Sequence, residues 1–124
     1  ITDPRVKLIG TSYYDPAFWA ENGHFDIAID DSNHITSAQV DAFNLGWAHV
    51  NPGGVWAVED THSTYSTELT NTGQNIIQHF SMIATQMQDQ RGAHGCAAPD
   101  PQNKWHSIES ICHMRGLTIV RKRP

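Results

Sequence analysis

The sequence predicts an α/β fold: a Rossmann-like parallel sheet with helices on both faces and a C-terminal antiparallel hairpin. Short apolar runs of strand length alternate with helical stretches, the pattern that builds parallel sheets. Two of the runs end abruptly in carboxylates, at Asp30-Asp31 and at Glu59-Asp60. Unpaired charges cannot stay in a core, so both acidic ends are expected where the strands leave the sheet.

Each element has its own signal in the sequence. Asp15, Pro16 and Gly23 supply the N-cap, the first helical residue and the stop of a short helix. The run Asn-Pro-Gly-Gly at 51–54 predicts a turn before the third strand, and the polar stretch 61–72 predicts an active-site loop. The predicted elements are, in order, a strand at 6–9, a helix at 15–23, a strand at 25–29, a helix at 36–48, a strand at 55–58, a helix at 75–90 and a hairpin at 107–121.

Length and charge set limits on what the chain does. Its 124 residues correspond to a single domain, 1–124. The formal net charge of −5 argues against nucleic acid or an anionic membrane as partner. No run reaches transmembrane length and no secretory signal is present, so we expect a cytoplasmic protein. Cys96 and Cys112 are expected to be thiols, with one disulfide as the alternative.

The acidic strand ends carry the chemistry. The carboxyl ends of adjacent parallel strands line one crevice, where ligands bind in open α/β sheets. Asp30, Asp31, Glu59, Asp60 and His34 would surround that crevice, and their hard oxygen atoms suit Mg²⁺ or Ca²⁺. The alternative is structural: the aspartates cap the following helix, and the second pair merely begins a polar loop.

Three consecutive motifs resemble a known family. They are Asp-Asp-Ser-Asn-His at 30–34, Asn-Pro-Gly-Gly-Val-Trp-Ala-Val-Glu-Asp at 51–60 and Thr-His-Ser-Thr-Tyr at 61–65. They resemble class I S-adenosylmethionine-dependent methyltransferases, and more narrowly the metal-dependent sugar O-methyltransferases of macrolide biosynthesis, of the mycinamicin and macrocin type, with their cephalosporin hydroxylase-like relatives. The pairing of Asp-Asp-x-x-His with Glu-Asp-x-His is the specific part of the likeness.

The chain also departs from that family. It contains no G-x-G-x-x-G, and the resemblance equates residues 6–9 with the third strand of the fold. The resemblance therefore implies the C-terminal part of a methyltransferase, without its first two strands. An edge left open in this way invites pairing, so we expect a homo-oligomer or an N-terminal partner segment. Gly10 is not followed by the acidic residue that relatives usually carry.

The resemblance implies a metal and a general base. Asp31, Glu59 and Asp60 would hold Mg²⁺, which orients a sugar hydroxyl and lowers its pKa. His34, expected on the first turn of the next helix, would remove the hydroxyl proton as general base.

The resemblance also implies positions for the two small molecules. Ser12, Tyr13 and Asp30 would contact S-adenosylmethionine. His62 and Tyr65 would contact the small-molecule substrate, with an ordinary polar loop as the alternative.

Two other functions compete with an S-adenosylmethionine- and Mg²⁺-dependent O-methyltransferase acting on a sugar or natural-product hydroxyl. One is a non-catalytic binding or interaction fragment that keeps the metal site and lacks the cofactor cradle. The other is a metal-dependent hydrolase that uses the same carboxylates.

Overall fold

A four-stranded mixed sheet forms the centre of the computed structural model, which describes residues 4, 9–10, 12–68, 75–88 and 104–124. The strand order is β1-β2-β4-β3. β1 and β2 are parallel, and β4 runs antiparallel to both of its neighbours. The strands are β1 (Phe25–Asp30), β2 (Val50–Glu59), β3 (Ile108–Met114) and β4 (Leu117–Lys122).

Three helices accompany the sheet: α1 (Pro16–Asn22), α2 (Thr36–Gly46) and α3 (Ile76–Met87). The predicted N-cap and C-terminal end of α1 are confirmed. The Asp15 side chain accepts from the Ala17 N–H at 2.9 Å, and Gly23 ends the helix at φ 78°. Asn75 caps α3 by accepting from two backbone N–H groups. α2 continues into a short 3₁₀ turn at Trp47–His49, which accounts for the longer helix predicted at 36–48.

The predicted turn at 51–54 does not lie before the strand, as the sequence predicts. These residues lie inside β2, where the register jumps from the pair Phe25–Val50 to the pair Ile27–Val55. One residue of β1, Asp26, therefore lies opposite four of β2, 51–54, so the Pro-Gly-Gly run makes an irregular bulge within the strand. Gly53 takes φ +75° there, and its N–H donates to the Arg123 carbonyl at 2.9 Å.

The core lies on one face of the sheet. Trp56 of β2 meets Trp19 of α1 with 5.5 Å between ring centroids and Phe43 of α2 with 5.7 Å, and Phe43 meets Phe80 of α3 with 5.0 Å. On the other face Ile27 and Ile29 are 66% and 63% exposed. Among the described residues, the three helices thus cover one face of the sheet. The second layer of helices, which the sequence predicts on the other face, is not found among them.

The α/β sheet with a closing antiparallel hairpin agrees with the prediction, and the hairpin turns at residues 115–116. Residues 6–8 of the predicted first strand lie outside the described residues, as do residues 69–72 of the predicted loop. The described part of that loop is not irregular, because Thr61–Tyr65 forms a 3₁₀ turn. No helix in the described ranges is both long and apolar enough to span a membrane.

Candidate active site

The candidate site lies at the carboxyl ends of β1 and β2. The two strands are parallel neighbours and Asp30 pairs with Val58, so both chains leave the sheet at the same edge. The residues that follow, 31–34 and 60–65, therefore face each other across this edge. This is the position at which open α/β sheets bind ligands.

The segment between β1 and α2 is not a helix cap. The N-cap position of α2 is Ile35, which has no side-chain cap, so the capping alternative for Asp30-Asp31 is wrong. Asn33 instead accepts from the Ile35 N–H at 3.1 Å within the segment. His34 lies before α2 and not on its first turn as predicted, in the left-handed region at φ 60°.

Three side chains converge across the edge: Asp31, His34 and Asp60 each offer a ligand atom, and these atoms lie within 4.8 Å of one another. His34 Nε2 is 3.5 Å from Asp60 Oδ2, and His62 Nδ1 is 3.6 Å from Asp60 Oδ1. Asp60 thus stands between two imidazoles. Among the described residues Glu59 is exposed and falls outside this group. The metal set of Asp31, Glu59 and Asp60 stays a prediction.

Hydrogen bonds before and after Asp60 stabilise the turn that carries it. Asp60 itself is left-handed at φ 51°. Before it, the Glu59 carbonyl accepts from Gln39 Nε2 of α2 at 3.1 Å. After it, the Thr61 N–H donates to the Gly116 carbonyl at 3.2 Å, and the Ser63 N–H donates back to the Asp60 carbonyl at 2.9 Å.

Gln39 was missed by the sequence reasoning, although a signal exists. With Thr36, Val40 and Phe43 it follows the i, i+3, i+4, i+7 spacing of the buried face of α2, and all four are buried. A glutamine on such a face must find a partner in the interior. The spacing therefore indicates an internal hydrogen bond, though not the atom that receives it.

A cavity of about 290 Å³ opens beside the cluster, and Asp30 and Tyr13 line it together with Trp19 and Trp56. Asp30 is 6% exposed, and burial raises the pKa of its carboxyl. Among the described residues, neither Asp30 Oδ2 nor Trp56 Nε1 has a hydrogen-bond partner. Buried polar atoms are normally satisfied, so these two atoms make the cavity a candidate ligand site.

The remaining predicted residues are placed as follows. Ser12 is exposed and is not among the cavity-lining residues; its hydroxyl accepts from the Tyr14 N–H at 3.3 Å. The Tyr13 and Tyr14 hydroxyls are 2.6 Å apart, and burial together with this bond raises the pKa of Tyr14. Tyr65, on the 3₁₀ turn after Asp60, is 82% exposed at the rim. Of the predicted small-molecule contacts, only Tyr13 and Asp30 share the cavity.

The sequence of the chain is similar to those of several O-methyltransferases. The chain is 37% identical over 67 residues to 8-demethyl-8-α-L-rhamnosyl tetracenomycin-C 2′-O-methyltransferase of Streptomyces olivaceus. It is 41% identical over 67 residues to demethylmacrocin O-methyltransferase of Streptomyces fradiae, and 42% identical over 69 residues to mycinamicin VI 2″-O-methyltransferase of Micromonospora griseorubida. The predicted resemblance to sugar O-methyltransferases is confirmed.

These matches are partial. The matched region covers 51–52% of this chain and 17–18% of each relative. It therefore corresponds to less than a fifth of each relative's length. No family model matches the chain.

Comparison of structures extends the likeness to nearly the whole chain. MycE methyltransferase of the mycinamycin biosynthetic pathway, in complex with Mg and SAH, superposes with a TM-score of 0.79 over 96% of this chain and 33% of that chain, at 22% identity. A second MycE structure, which also holds mycinamycin VI, gives a TM-score of 0.80. The superposition confirms the predicted fold: a mixed sheet that matches a methyltransferase.

Proposed function

We propose that this chain is the metal-binding and proton-transfer part of an S-adenosylmethionine-dependent, Mg²⁺-dependent O-methyltransferase that acts on a hydroxyl of a sugar or natural product. The observation that carries the proposal is the convergence of Asp31, His34 and Asp60 at the strand edge. The likeness of the chain to named sugar O-methyltransferases gives this cluster its chemistry.

The donor atoms fit a hard divalent cation. Asp31 is exposed and Asp60 is half-buried, so water can complete the shell that Mg²⁺ keeps when only a few carboxylates bind it. Glu59, at the end of the same strand, would join them by a side-chain rotation. When bound, Mg²⁺ polarises a hydroxyl and S-adenosylmethionine supplies a methyl group on a good leaving group.

His34 is placed to remove the acceptor proton. Its Nε2 lies 3.5 Å from Asp60 Oδ2, so the imidazolium formed on proton transfer would be stabilised by a carboxylate. The left-handed backbone at φ 60° costs about 1–3 kcal/mol in a non-glycine residue, and such strain clusters at functional positions. Both facts favour a base rather than a structural histidine.

The buried pair in the cavity would take part of the methyl donor. Asp30 Oδ2 offers an acceptor and Trp56 Nε1 a donor, between aromatic walls that include Tyr13. At about 290 Å³ the cavity is near the lower limit of ligand pockets, roughly 300–1,000 Å³. We therefore assign only part of the donor's contacts to this chain. Ser12 would contribute from the loop before α1.

His62 and Tyr65 would contact the acceptor. They follow Asp60 on the same 3₁₀ turn, and His62 reaches the cluster through Asp60. An exposed tyrosine offers a flat apolar surface with a polar tip, which suits a sugar ring.

The test is calorimetric titration of the 124-residue chain with Mg²⁺, and then with S-adenosylhomocysteine in the presence and absence of Mg²⁺. We expect Mg²⁺ to bind the parent chain, and Asp31→Asn to abolish that binding because a carboxylate ligand is lost. Asp41→Asn is the matched control, since Asp41 is an exposed carboxylate on α2 outside the cluster. It should bind Mg²⁺ as the parent does.

Each outcome separates the candidate functions. Equal Mg²⁺ affinity in the parent and in Asp31→Asn would remove the metal role. Metal binding by the chain, without S-adenosylhomocysteine binding by a longer protein that contains it, favours a binding fragment. Metal-dependent cleavage of an ester or glycoside by the chain favours a hydrolase, whereas methyl transfer to a sugar hydroxyl by a longer protein that contains the chain supports the proposal.

A further inference from the structure

We infer that Gln39 is a positioning residue, which fixes the turn that carries Asp60 so that its carboxylate stays within reach of Asp31 and His34. The inference rests on the proposed function in one respect: it assumes that this carboxylate binds a cation. It assigns a role to a residue of α2 that no motif marks.

The contact is a cross-element hydrogen bond. Gln39 Nε2 donates to the Glu59 carbonyl at 3.1 Å, across 20 positions of the sequence. Gln39 is fully buried, so water has little access to its side chain. The acceptor is the carbonyl of the peptide that leads directly into Asp60, and a movement of that peptide moves Asp60.

Asp60 needs such support. A non-glycine residue in the left-handed region is strained, and it persists only where its surroundings hold it. Of the three hydrogen bonds given above for this turn, two join backbone atoms only. In the third bond the donor is the Gln39 side chain. A substitution at position 39 can therefore remove this bond, whereas the two backbone bonds do not depend on residue type.

A purely structural role explains Gln39 poorly. Among the described residues its Oε1 is buried without a hydrogen-bond partner. An unsatisfied buried acceptor is destabilising, and an apolar side chain of similar size would avoid it. The carboxamide at this position is therefore explained by its N–H donor and by the Glu59 carbonyl that accepts from it.

The experiment compares Mn²⁺ affinity and melting temperature in three variants of the chain, with Mn²⁺ followed by electron paramagnetic resonance. Gln39→Met keeps the volume and removes the donor. Gln39→Asn keeps a carboxamide but is one methylene too short, and it serves if the first variant does not fold. Thr36→Val is the matched control, a fully buried polar residue one turn earlier on the same helix face.

We expect both Gln39 variants to weaken Mn²⁺ binding by about 10–100-fold, the usual effect of losing a group that orients a ligand. Thr36→Val should lower the melting temperature and leave the affinity unchanged. Parent-like affinity in folded Gln39→Met or Gln39→Asn overturns the inference alone, as does an equal loss in Thr36→Val. No Mn²⁺ binding by the parent overturns the proposed metal site, and the inference with it.

Discussion

The aromatic core and the carboxyl edge of the sheet lie side by side and are built in opposite ways. The core packs Trp19, Phe43, Trp56 and Phe80 into ring contacts with centroids 5.0–5.7 Å apart. The edge holds buried polar atoms without partners among the described residues, on Asp30, His34 and Gln39, and Trp56 Nε1, where the core meets the cavity, is a further one. The edge also holds both non-glycine residues of the described ranges with positive φ, His34 and Asp60.

This difference separates what stabilises the molecule from what equips it for chemistry. Apolar burial stabilises a fold wherever it occurs, whereas strain and unsatisfied polar atoms lower stability and are retained where function requires them. Substitutions in the core should therefore change the free energy of unfolding, and substitutions at the edge should change binding or turnover.

The largest expected effect is at the edge. In a longer protein with activity, His34→Ala should lower the rate of the chemical step by about 10²–10⁴, because the general base is lost. Cofactor affinity should change little. The melting temperature should change little, because alanine also carries a Cβ and leaves the backbone of position 34 in the left-handed region. Turnover per folded molecule and the melting temperature are measured on the same preparation, and an unchanged turnover would remove His34 from the mechanism.

A substitution in the core should lower stability and leave binding unchanged. Phe43 is fully buried and contacts Trp47, Trp56, Phe80 and Trp105. Phe43→Ala should lower the free energy of unfolding by about 3–5 kcal/mol through lost burial and the cavity left behind. Chemical denaturation measures it. Mg²⁺ affinity of the fraction that remains folded should match the parent, and a large loss of affinity would show that core and edge are not separable.

A smaller effect is expected at the end of α2. Gly46→Ala would ordinarily stabilise a helix by about 1 kcal/mol. Here the added Cβ would overlap the Trp56 ring and lie 2.7 Å from Trp19 Cη2. Overpacking of this kind costs about 1–3 kcal/mol, so the sign should reverse and the melting temperature should fall. A higher melting temperature than the parent would mean that the Trp19 and Trp56 side chains shift to make room for the Cβ without loss of stability.

The same contrast explains what the sequence could and could not predict. Strand β1, helix α1 and the closing hairpin follow from local signals: an apolar run, an Asp-Pro cap and a Gly at a turn. The bulge at 51–54 does not, because Pro-Gly-Gly is equally compatible with a turn and with an irregular strand, and only pairing with β1 and β4 decides between them.

At the site, motif spacing correctly predicted that the residues after β1 and β2 meet, and tertiary geometry decided the rest. Which carboxylate faces His34 depends on the left-handed turn at Asp60. Aspartate adopts this conformation more readily than most residues, but the sequence does not say which of the aspartates does so. Gln39 contributes through a bond to a residue 20 positions away. Such a partner becomes visible only when α2 is packed on the sheet.

The smallest expected effect is at Asp30, where the two regions meet. Burial raises the pKa of its carboxyl above the ordinary value, so the folded state binds the proton more tightly than the unfolded state does. Stability contributed by this group is therefore present at acid pH and is lost as the pH rises through the folded-state pKa. Asp30→Asn cannot ionise. It should exceed the parent in stability at neutral pH, on the order of 1 kcal/mol, and the advantage should vanish towards pH 3.

Thermal melts of both proteins across that pH range measure the difference. The test also sharpens the contrast between core and edge, since the substitution that stabilises the fold should weaken a methyl donor bound against Asp30 Oδ2. A variant that is less stable than the parent at neutral pH would mean that the ionised carboxylate is satisfied in the folded protein. Asp30 would then belong with the residues that hold the fold together, and the cavity beside it would lose its reason to bind a charged or hydrogen-bonding ligand.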